Sequence, residues 1–284
     1  MQQRDAFLTT VYDKARLDNK IMLLSADFGA PALDQFRRDL PSQFVHCGIS
    51  EQNMINVAVG LALAGKRPYV YAMSPFFLRC FEQLKLAAMH GVPITVVSVG
   101  AGLSYAGSGP THYATEDVAC YRTLVNTEVY TVSTNNLAAS IARRSLDSEK
   151  MMVVRLERGD LSELYPEDFD CKEGYRFFYD KDLNAPYITS GYLVHYLKKM
   201  GHNVIDVFRA KPMDLVLIEK LIEKLGHLDY VYTLEEQYPQ GGLGTAILEA
   251  LNDHGHKVRV FRRALQERPI YENGNRDELL QSAL

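Results

Sequence analysis

The sequence lacks charge blocks, clustered cysteines and long apolar runs, and each absence argues against a class of protein. Its 284 residues carry a formal net charge of -4 with no block of Lys and Arg, which argues against nucleic acid as a partner. The four cysteines lie far apart without a CxxC pair, so neither a zinc site nor a disulfide framework is predicted. We expect them to be small buried residues.

Targeting and membrane signals are also missing. No uninterrupted stretch of about 18 apolar residues occurs, and the first residues lack the apolar core of a signal peptide. Hydrophobic residues make up 47% of the chain and charged residues 23%, a balance typical of globular proteins that excludes extended disorder. We therefore expect a folded cytoplasmic protein without a membrane anchor.

Short β-rich runs alternate with helical runs over residues 1–160. Six runs are apolar on both faces and are predicted as strands of a parallel sheet covered by helices on each side: 21–27, 44–48, 69–73, 94–100, 128–133 and 151–157. Helices, each preceded by a Ser, Pro, Thr or Asn start signal, are predicted at 51–64, 76–90, 115–124 and 135–148. The pattern predicts an α/β domain with a doubly wound, mostly parallel sheet.

The composition and periodicity of the sequence change after residue 160. Residues 161–187 are polar, acidic and aromatic without a clear period, which is typical of a linker between domains. Alternation then resumes over 188–284, with strands in NVIDVF, YVYTLEE and KVRVFRR and helices at 214–226 and 243–255. A second, smaller α/β domain is predicted there.

Ligands of open parallel sheets bind beyond the carboxyl ends of the strands, so the loops that follow strands are candidate sites. Three such loops stand out: GISEQN at 48–53, SPFFLRCFEQ at 74–83 and GAGLSYAGSGPTH at 100–112. Ser50 in the first loop is the expected N-cap of the following helix.

Each feature of these loops also has a purely structural explanation. Glu51 can stabilise the positive end of its helix by about 0.3 to 1 kcal/mol. Phe76 and Phe81 have the helical spacing of core residues. His112 can be a loop histidine that bonds to the backbone, and the glycines suit a long turn. Taken singly, none of these features identifies a site.

Taken in order, the three loops resemble the transketolase family of thiamine-diphosphate enzymes. The similar stretch includes GISEQNMINVAVGLALAGKRPYVYAMSPFFLRCFEQLK and GVPITVVSVGAGLSYAGSGPTHYATEDVACYRTL, with weaker similarity in VVRLERG and EEQYPQGGLG. The resemblance implies a pyrimidine-binding domain followed by a transketolase C-terminal domain. It also implies an enzyme that transfers a two-carbon ketol unit from a ketose, or a ketose phosphate, to an aldose.

The resemblance assigns roles around the cofactor. Glu51 matches the acid that hydrogen-bonds ring nitrogen N1′ of thiamine diphosphate and shares a proton with it, which drives the aminopyrimidine into its imino form. Phe76, with Phe81 as the second choice, is expected to stack on the flat pyrimidine. His112 matches a family histidine that faces the reacting carbons and exchanges protons with substrate oxygens.

Three further residues are expected to contact substrate. Arg79 and Arg158 match positions where relatives bind a sugar phosphate, a task that suits the planar guanidinium group. A surface salt bridge is the alternative for Arg158. Ser108 stands where many relatives have an Asp that recognises a donor hydroxyl. Because a serine brings no charge, we expect a donor with different stereochemistry or without that hydroxyl.

The family also holds the cofactor diphosphate through Mg²⁺ with a GDG sequence, and no GDG occurs here. The resemblance therefore implies the C-terminal section of a split transketolase, whose partner is an N-terminal-section subunit that carries the diphosphate-binding domain and Mg²⁺. Each family site lies between a pyrimidine domain and a diphosphate domain, so an α2β2 assembly is expected.

Two other functions stay open. One is decarboxylation of a 2-oxoacid, as in the 1-deoxyxylulose-5-phosphate synthase and 2-oxoacid dehydrogenase β-subunit families, which share this architecture. The other is an inactive scaffold subunit.

Overall fold

The computed structural model describes residues 1–27, 29–178, 185–213, 219–220, 223 and 230–284. The helix predicted over 214–226 falls almost wholly outside these ranges. Within them, none of the helices combines the length and the apolar character that crossing a bilayer requires.

Strands and helices alternate through the first part of the chain, and all six predicted strands are confirmed. The strands are β1 (Ile21–Ala26), β2 (Phe44–Gly48), β3 (Arg67–Met73), β4 (Thr95–Val99), β5 (Thr127–Thr131) and β6 (Met151–Leu156). The helices are α1 (Gln3–Ala15), α2 (Pro31–Asp39), α3 (Glu51–Leu63), α4 (Ser74–Leu78), α5 (Phe81–His90), α6 (Asp117–Arg122) and α7 (Asn135–Asp147).

Four helices differ from the sequence-based expectation. The single helix predicted at 76–90 is two helices, α4 and α5, because the backbone at Cys80 leaves helical geometry, with φ -99° and ψ 14°. The sequence pattern does not predict α1 or α2. Their N-cap residues, Gln2 and Ala30, are poor helix caps. Helix α2 does begin with a start signal, Pro31 at its first position, which the sequence-based prediction does not use.

The second part of the chain is built from shorter elements. They are β7 (Arg176–Phe178), β8 (Tyr187–Thr189), α8 (Tyr192–Lys199), β9 (Val204–Asp206), β10 (Arg209–Lys211), β11 (Tyr230–Leu234), α9 (Leu243–Asp253), β12 (Arg259–Arg263) and α10 (Arg276–Ala283). Helix α10 begins with a capping box in which Asn275 and Glu278 bond reciprocally to each other's backbone N–H.

Two mostly parallel sheets result, which confirms the α/β prediction. Within the described ranges, the first has seven strands in the order β10-β5-β6-β4-β3-β1-β2, and of these only the edge strand β10 is antiparallel to its neighbour. The second has five strands in the order β12-β11-β8-β9-β7, with β7 antiparallel to β9. Strand β7 comes from the predicted linker, and β10 crosses back to the first sheet. The chain is therefore more interwoven than a linear division into 1–160, 161–187 and 188–284 predicts.

Apolar cores lie on both faces of the first sheet. Helices α3 and α5 pack on one face through residues such as Met54 and Leu84, and α1, α2 and α7 pack on the other through residues such as Phe7 and Ile141. Strands β1, β4 and β6 are buried along their whole length, as their apolar sequences predict. The same expectation is wrong for β2, whose residues are half-buried or exposed because it forms the sheet edge.

Candidate functional site

Glu51 is the first residue of α3 and follows closely on the end of β2. The chain turns at Gly48, where φ is +67°. Ser50 occupies the N-cap position, but its hydroxyl donates to the Cys47 carbonyl oxygen at 2.6 Å and caps no helix N–H. The Glu51 side chain is buried, with the residue only 6% exposed. This burial is unusual for an acid whose only task is to favour a helix end.

A cavity of about 480 Å³ opens beside Glu51. Its lining comes from the start of α3 and from the break between α4 and α5, and it includes Arg79 and Gln83. No hydrogen-bond or ion-pair partner for the Glu51 carboxylate lies among the described residues. The side-chain oxygen of Gln83 is likewise buried without a donor in the described part of the chain. Two acceptors on residues that line one cavity therefore lack donors among the described residues, an arrangement that is costly until donors are supplied.

The buried thiol of Cys80 lies under the influence of the charges at this cavity. Burial raises its pKa to about 12, the negative charge of Glu51 adds to the effect, and Arg79 opposes it. Such a thiol stays protonated and unreactive. The cysteine prediction is confirmed for Cys80 and Cys171, whereas Cys47 and Cys120 are only half-buried.

A second group of predicted residues surrounds His112. The centres of the Phe76 and His112 rings are 6.0 Å apart in an edge-to-face arrangement, and Thr111 Oγ1 lies 3.0 Å from His112 Nδ1. Helix α4 carries Phe76 and contacts both α3 and the turn that holds His112. Phe76 is half-buried, so part of its ring is accessible.

Tyr105 lies between His112 and Arg158 and so places Arg158 in this second group. The sequence pattern does not predict a role for Tyr105. Its ring centre is 6.4 Å from that of His112, and the guanidinium carbon of Arg158 lies 4.8 Å from the centre of the same tyrosine ring. Burial raises the pKa of the Tyr105 hydroxyl. The sequence feature that could have indicated Tyr105 is its position in the same glycine-rich loop as His112. Ser108, three residues further on, is exposed.

Phe81 lies elsewhere. It lines an apolar groove of about 610 Å³ together with Lys85, Met89 and residues 123–125, on a different side of α5 from Gln83. The structure therefore brings Phe76, His112 and Arg158 together through Tyr105, and brings Arg79 to Glu51. It does not bring Phe81 to either group.

A larger open groove of about 1130 Å³ lies between α7 and the segment 167–172, away from all these residues. Its walls carry charges of both signs, and Arg144 there is paired with Glu128 at 2.9 Å. Because these two side chains satisfy each other, the pair offers no free charge for chemistry. In the part of the chain that the structure describes, no cluster of His, Cys, Asp and Glu could hold a metal ion.

Comparison with known proteins gives matches over most of the chain. Residues 1–163 match the family model described as transketolase, pyrimidine binding domain. Residues 196–284 match the model described as transketolase, C-terminal domain. One subunit of the apulose-4-phosphate transketolase of Phocaeicola vulgatus is 27% identical over 91% of this chain and 86% of its own length. Human transketolase is 27% identical over 87% of this chain but only 42% of its own length.

Solved structures show the same fold. A split gene transketolase, described as an inactive beta4 tetramer, superposes with a TM-score of 0.86 at 24% identity and covers 100% of this chain and 93% of its own. A transketolase mutant from Pichia stipitis, described as a complex with xylulose 5-phosphate, superposes with a TM-score of 0.75 at 17% identity over 99% of this chain and 43% of its own. The chain thus spans less than half the length of the single-chain relatives that it matches.

Proposed function

This chain belongs to the transketolase family, and from that premise we propose that it is one subunit of a two-chain transketolase that depends on thiamine diphosphate. The complex transfers a two-carbon ketol unit from a ketose, or a ketose phosphate, to an aldose. The observation that carries the proposal is the buried Glu51 carboxylate without a partner among the described residues, in a cavity at the carboxyl end of β2. That is where ligands bind in open α/β sheets.

The donors that this cavity lacks fit an aminopyrimidine. A protonated ring nitrogen and an exocyclic amino group are both N–H donors, whereas Glu51 and Gln83 present acceptors. Thiamine diphosphate supplies, when bound, a carbon nucleophile for sugar carbonyl groups. The part of Glu51 is to hold and exchange a proton at the pyrimidine nitrogen N1′, and Phe76 offers a flat apolar face to the ring.

The group around His112 suits the sugar. The His112 imidazole can donate a hydrogen bond to a substrate oxygen or accept a proton from it. Arg158, held near the ring of Tyr105, offers a planar guanidinium to an anionic group such as a sugar phosphate. Arg79 is the cation on the Glu51 side of the site, and the exposed Ser108 offers an uncharged hydroxyl to the donor.

The proposed partner supplies what this chain lacks. It is an N-terminal-section subunit that carries the diphosphate-binding domain with its Mg²⁺, and two copies of each chain form an α2β2 heterotetramer. Support comes from the missing GDG sequence, from the match to a relative that is itself named as one subunit of a transketolase, and from coverage of only 42% of human transketolase.

Reconstitution tests the proposal. The purified chain is mixed with a candidate N-terminal-section subunit, thiamine diphosphate and Mg²⁺. The mixture is offered donor ketose phosphates that include apulose 4-phosphate, for which one relative is named. We expect ketol transfer by the mixture and none by either chain alone. Release of carbon dioxide from pyruvate would instead support the 2-oxoacid alternative. Inactivity in both assays, by a mixture that forms a stable complex, would support the scaffold alternative.

Ser108 gives a separate prediction about the donor. Replacing it with Asp introduces a carboxylate that accepts a hydrogen bond from a donor hydroxyl, and hydrogen bonds to charged groups contribute about 1.5 to 3 kcal/mol. We expect Ser108→Asp to shift the ratio of kcat/KM between two donors at least about tenfold toward the one that carries the additional hydroxyl. Ser162→Asp, a change at an exposed serine outside the loop, is the matched control. An unchanged donor ratio would remove Ser108 from the specificity site.

A further inference from the structure

The loop over residues 100–116, between β4 and α6, carries Tyr105, Ser108 and His112, and side chains from the second half of the chain hold it at both ends. Arg276, the first residue of α10, reaches the start of the loop. Residues 236–238, which follow β11, bond to both the start and the end of the loop. The loop therefore takes its shape from residues more than a hundred positions away in sequence.

The Arg276 guanidinium is the centre of the contacts at the start of the loop. It donates to Glu157 Oε2 at 2.7 Å and to Glu236 Oε1 at 2.7 Å. It also donates to Ser104 Oγ at 3.2 Å and to the Ala101 carbonyl oxygen at 3.3 Å, both in the loop. Its side chain is only 12% exposed. We call this set of contacts the Arg276 brace.

The two carboxylates extend the Arg276 brace. Glu236 accepts from the backbone N–H of Leu103 at 3.3 Å, and Glu157 accepts a hydrogen bond from the Ser104 hydroxyl. Gly102 has φ +55°, and a side chain there would overlap Glu236, so the loop backbone approaches this acid as closely as only glycine allows. Burial raises the pKa of Glu236. At Glu157 burial acts in the same direction, but the Arg276 charge and the hydrogen bonds that this carboxylate accepts together outweigh it and lower the pKa.

The far end of the loop is held in a similar way. Gln237 donates to the Ala114 carbonyl oxygen at 2.7 Å and accepts from the Val118 N–H at 3.2 Å. The Tyr238 N–H donates to the Thr115 carbonyl oxygen at 3.1 Å. His112 thus lies in a segment that is fixed before it and after it.

We propose that Arg276 is a positioning residue for the proposed ketol transfer: through Ala101, Ser104 and the carboxylates of Glu157 and Glu236 it fixes the loop that presents His112 to the sugar. This inference rests on the proposed function. It gives the C-terminal unit a part in sugar turnover although Arg276 itself does not contact the reacting atoms. The cavity beside Glu51 is lined from α3 and from the break between α4 and α5, and Arg276 makes no hydrogen bond to these segments among the described residues. We therefore expect the Kd of thiamine diphosphate to depend little on the Arg276 brace.

The geometry requires arginine. Four different oxygen groups surround one planar fork of N–H donors, and a lysine ammonium, a point charge with three donors, cannot reach all of them at once. Arg276→Lys keeps the charge between Glu157 and Glu236 and releases contacts to the loop. The variant therefore separates positioning from the ion pairs that stabilise the fold.

The test compares Arg276→Lys with Arg268→Lys, which changes a more exposed arginine in the same C-terminal segment that pairs with Glu272 instead. In the reconstituted complex we expect Arg276→Lys to lower kcat/KM for the sugars about 10- to 100-fold, with the Kd of thiamine diphosphate unchanged. Arg268→Lys should change neither by more than about twofold. Equal loss of cofactor affinity and sugar turnover would show a general structural role and overturn the inference.

A second measurement needs no activity. In the isolated chain, hydrogen exchange in a peptide covering residues 101–116 should be faster in Arg276→Lys and in Ser104→Ala than in the wild type, while peptides of α3 keep their protection. Unchanged exchange in this peptide for both variants overturns the inference whatever the reaction is. An inactive wild-type complex with the expected exchange pattern would count against the proposed function and not against the Arg276 brace.

Discussion

Glu51→Gln is expected to lower ketol transfer by the reconstituted complex about 100- to 10,000-fold, the range associated with loss of a proton-transfer group. Glutamine keeps the size and polarity of the side chain but can neither take up nor release the proton that the pyrimidine nitrogen requires. The measurement is kcat with saturating sugar and cofactor, together with the Kd of thiamine diphosphate. We expect the loss mainly in kcat, because the amide still fills the cavity.

The matched control for Glu51→Gln is Glu82→Gln. Glu82 also lies in the first turn of a helix, α5, but it is exposed. An acid that only favours the helix dipole contributes about 0.3 to 1 kcal/mol at either position. If that were the whole task of Glu51, the two variants would behave alike, with small losses of stability and full activity.

Stability gives a second way to separate these two roles of Glu51. The carboxylate is buried and has no partner among the described residues, so its neutralisation removes a desolvated charge. We therefore expect the free energy of unfolding of Glu51→Gln to stay the same or to rise while activity falls. This combination is typical of a catalytic group held at a cost to the fold. A destabilised variant with full activity would contradict the proposed role.

The sequence pattern predicts the first sheet well because the signal is local. Strands β4 and β6 are continuous apolar runs that a two-sided parallel sheet requires, and α3 begins where a Ser-Glu pair predicts it. The pattern does not predict strands whose formation depends on tertiary contacts. Strand β7 is only three residues long and lies in a polar segment, and β10 pairs with a strand that is remote in sequence.

The residues of the candidate site likewise include some that the sequence predicts and some that it does not. Glu51, Phe76 and His112 each follow a parallel strand of the first sheet, and ligands bind at the carboxyl ends of parallel strands. Their positions along the chain therefore already predict that they share one edge of the sheet. Phe76 lies on α4 and Phe81 on α5. The break at Cys80 separates the two helices, and Phe81 faces a different groove. Arg276 gives no sequence signal, because its polar segment has no period and its partners come from three distant parts of the chain.

Asp117→Asn and Arg155→Met are each expected to lower the free energy of unfolding of the isolated chain by about 3 to 5 kcal/mol. Arg155 Nε donates to Asp117 Oδ2 at 2.7 Å, and side-chain exposure is 5% for the arginine and 0% for the acid. Arg155 also donates to Thr131 Oγ1 at 2.7 Å. Removing either partner leaves a buried charge that water cannot reach, and urea unfolding measures the loss.

Two comparisons make the ion-pair prediction specific. Arg38→Met breaks the pair with Asp39 at the surface, where both groups are partly or largely exposed, so its cost should be about 0 to 1 kcal/mol. The double variant Asp117→Asn with Arg155→Met removes both charges and should be less destabilised than the sum of the single variants, because neither charge is then left alone. The prediction is contradicted if the losses in the free energy of unfolding simply add in the double variant, or if Arg155→Met is as stable as Arg38→Met. Either result would show that the Asp117–Arg155 pair does not hold α6 to the sheet.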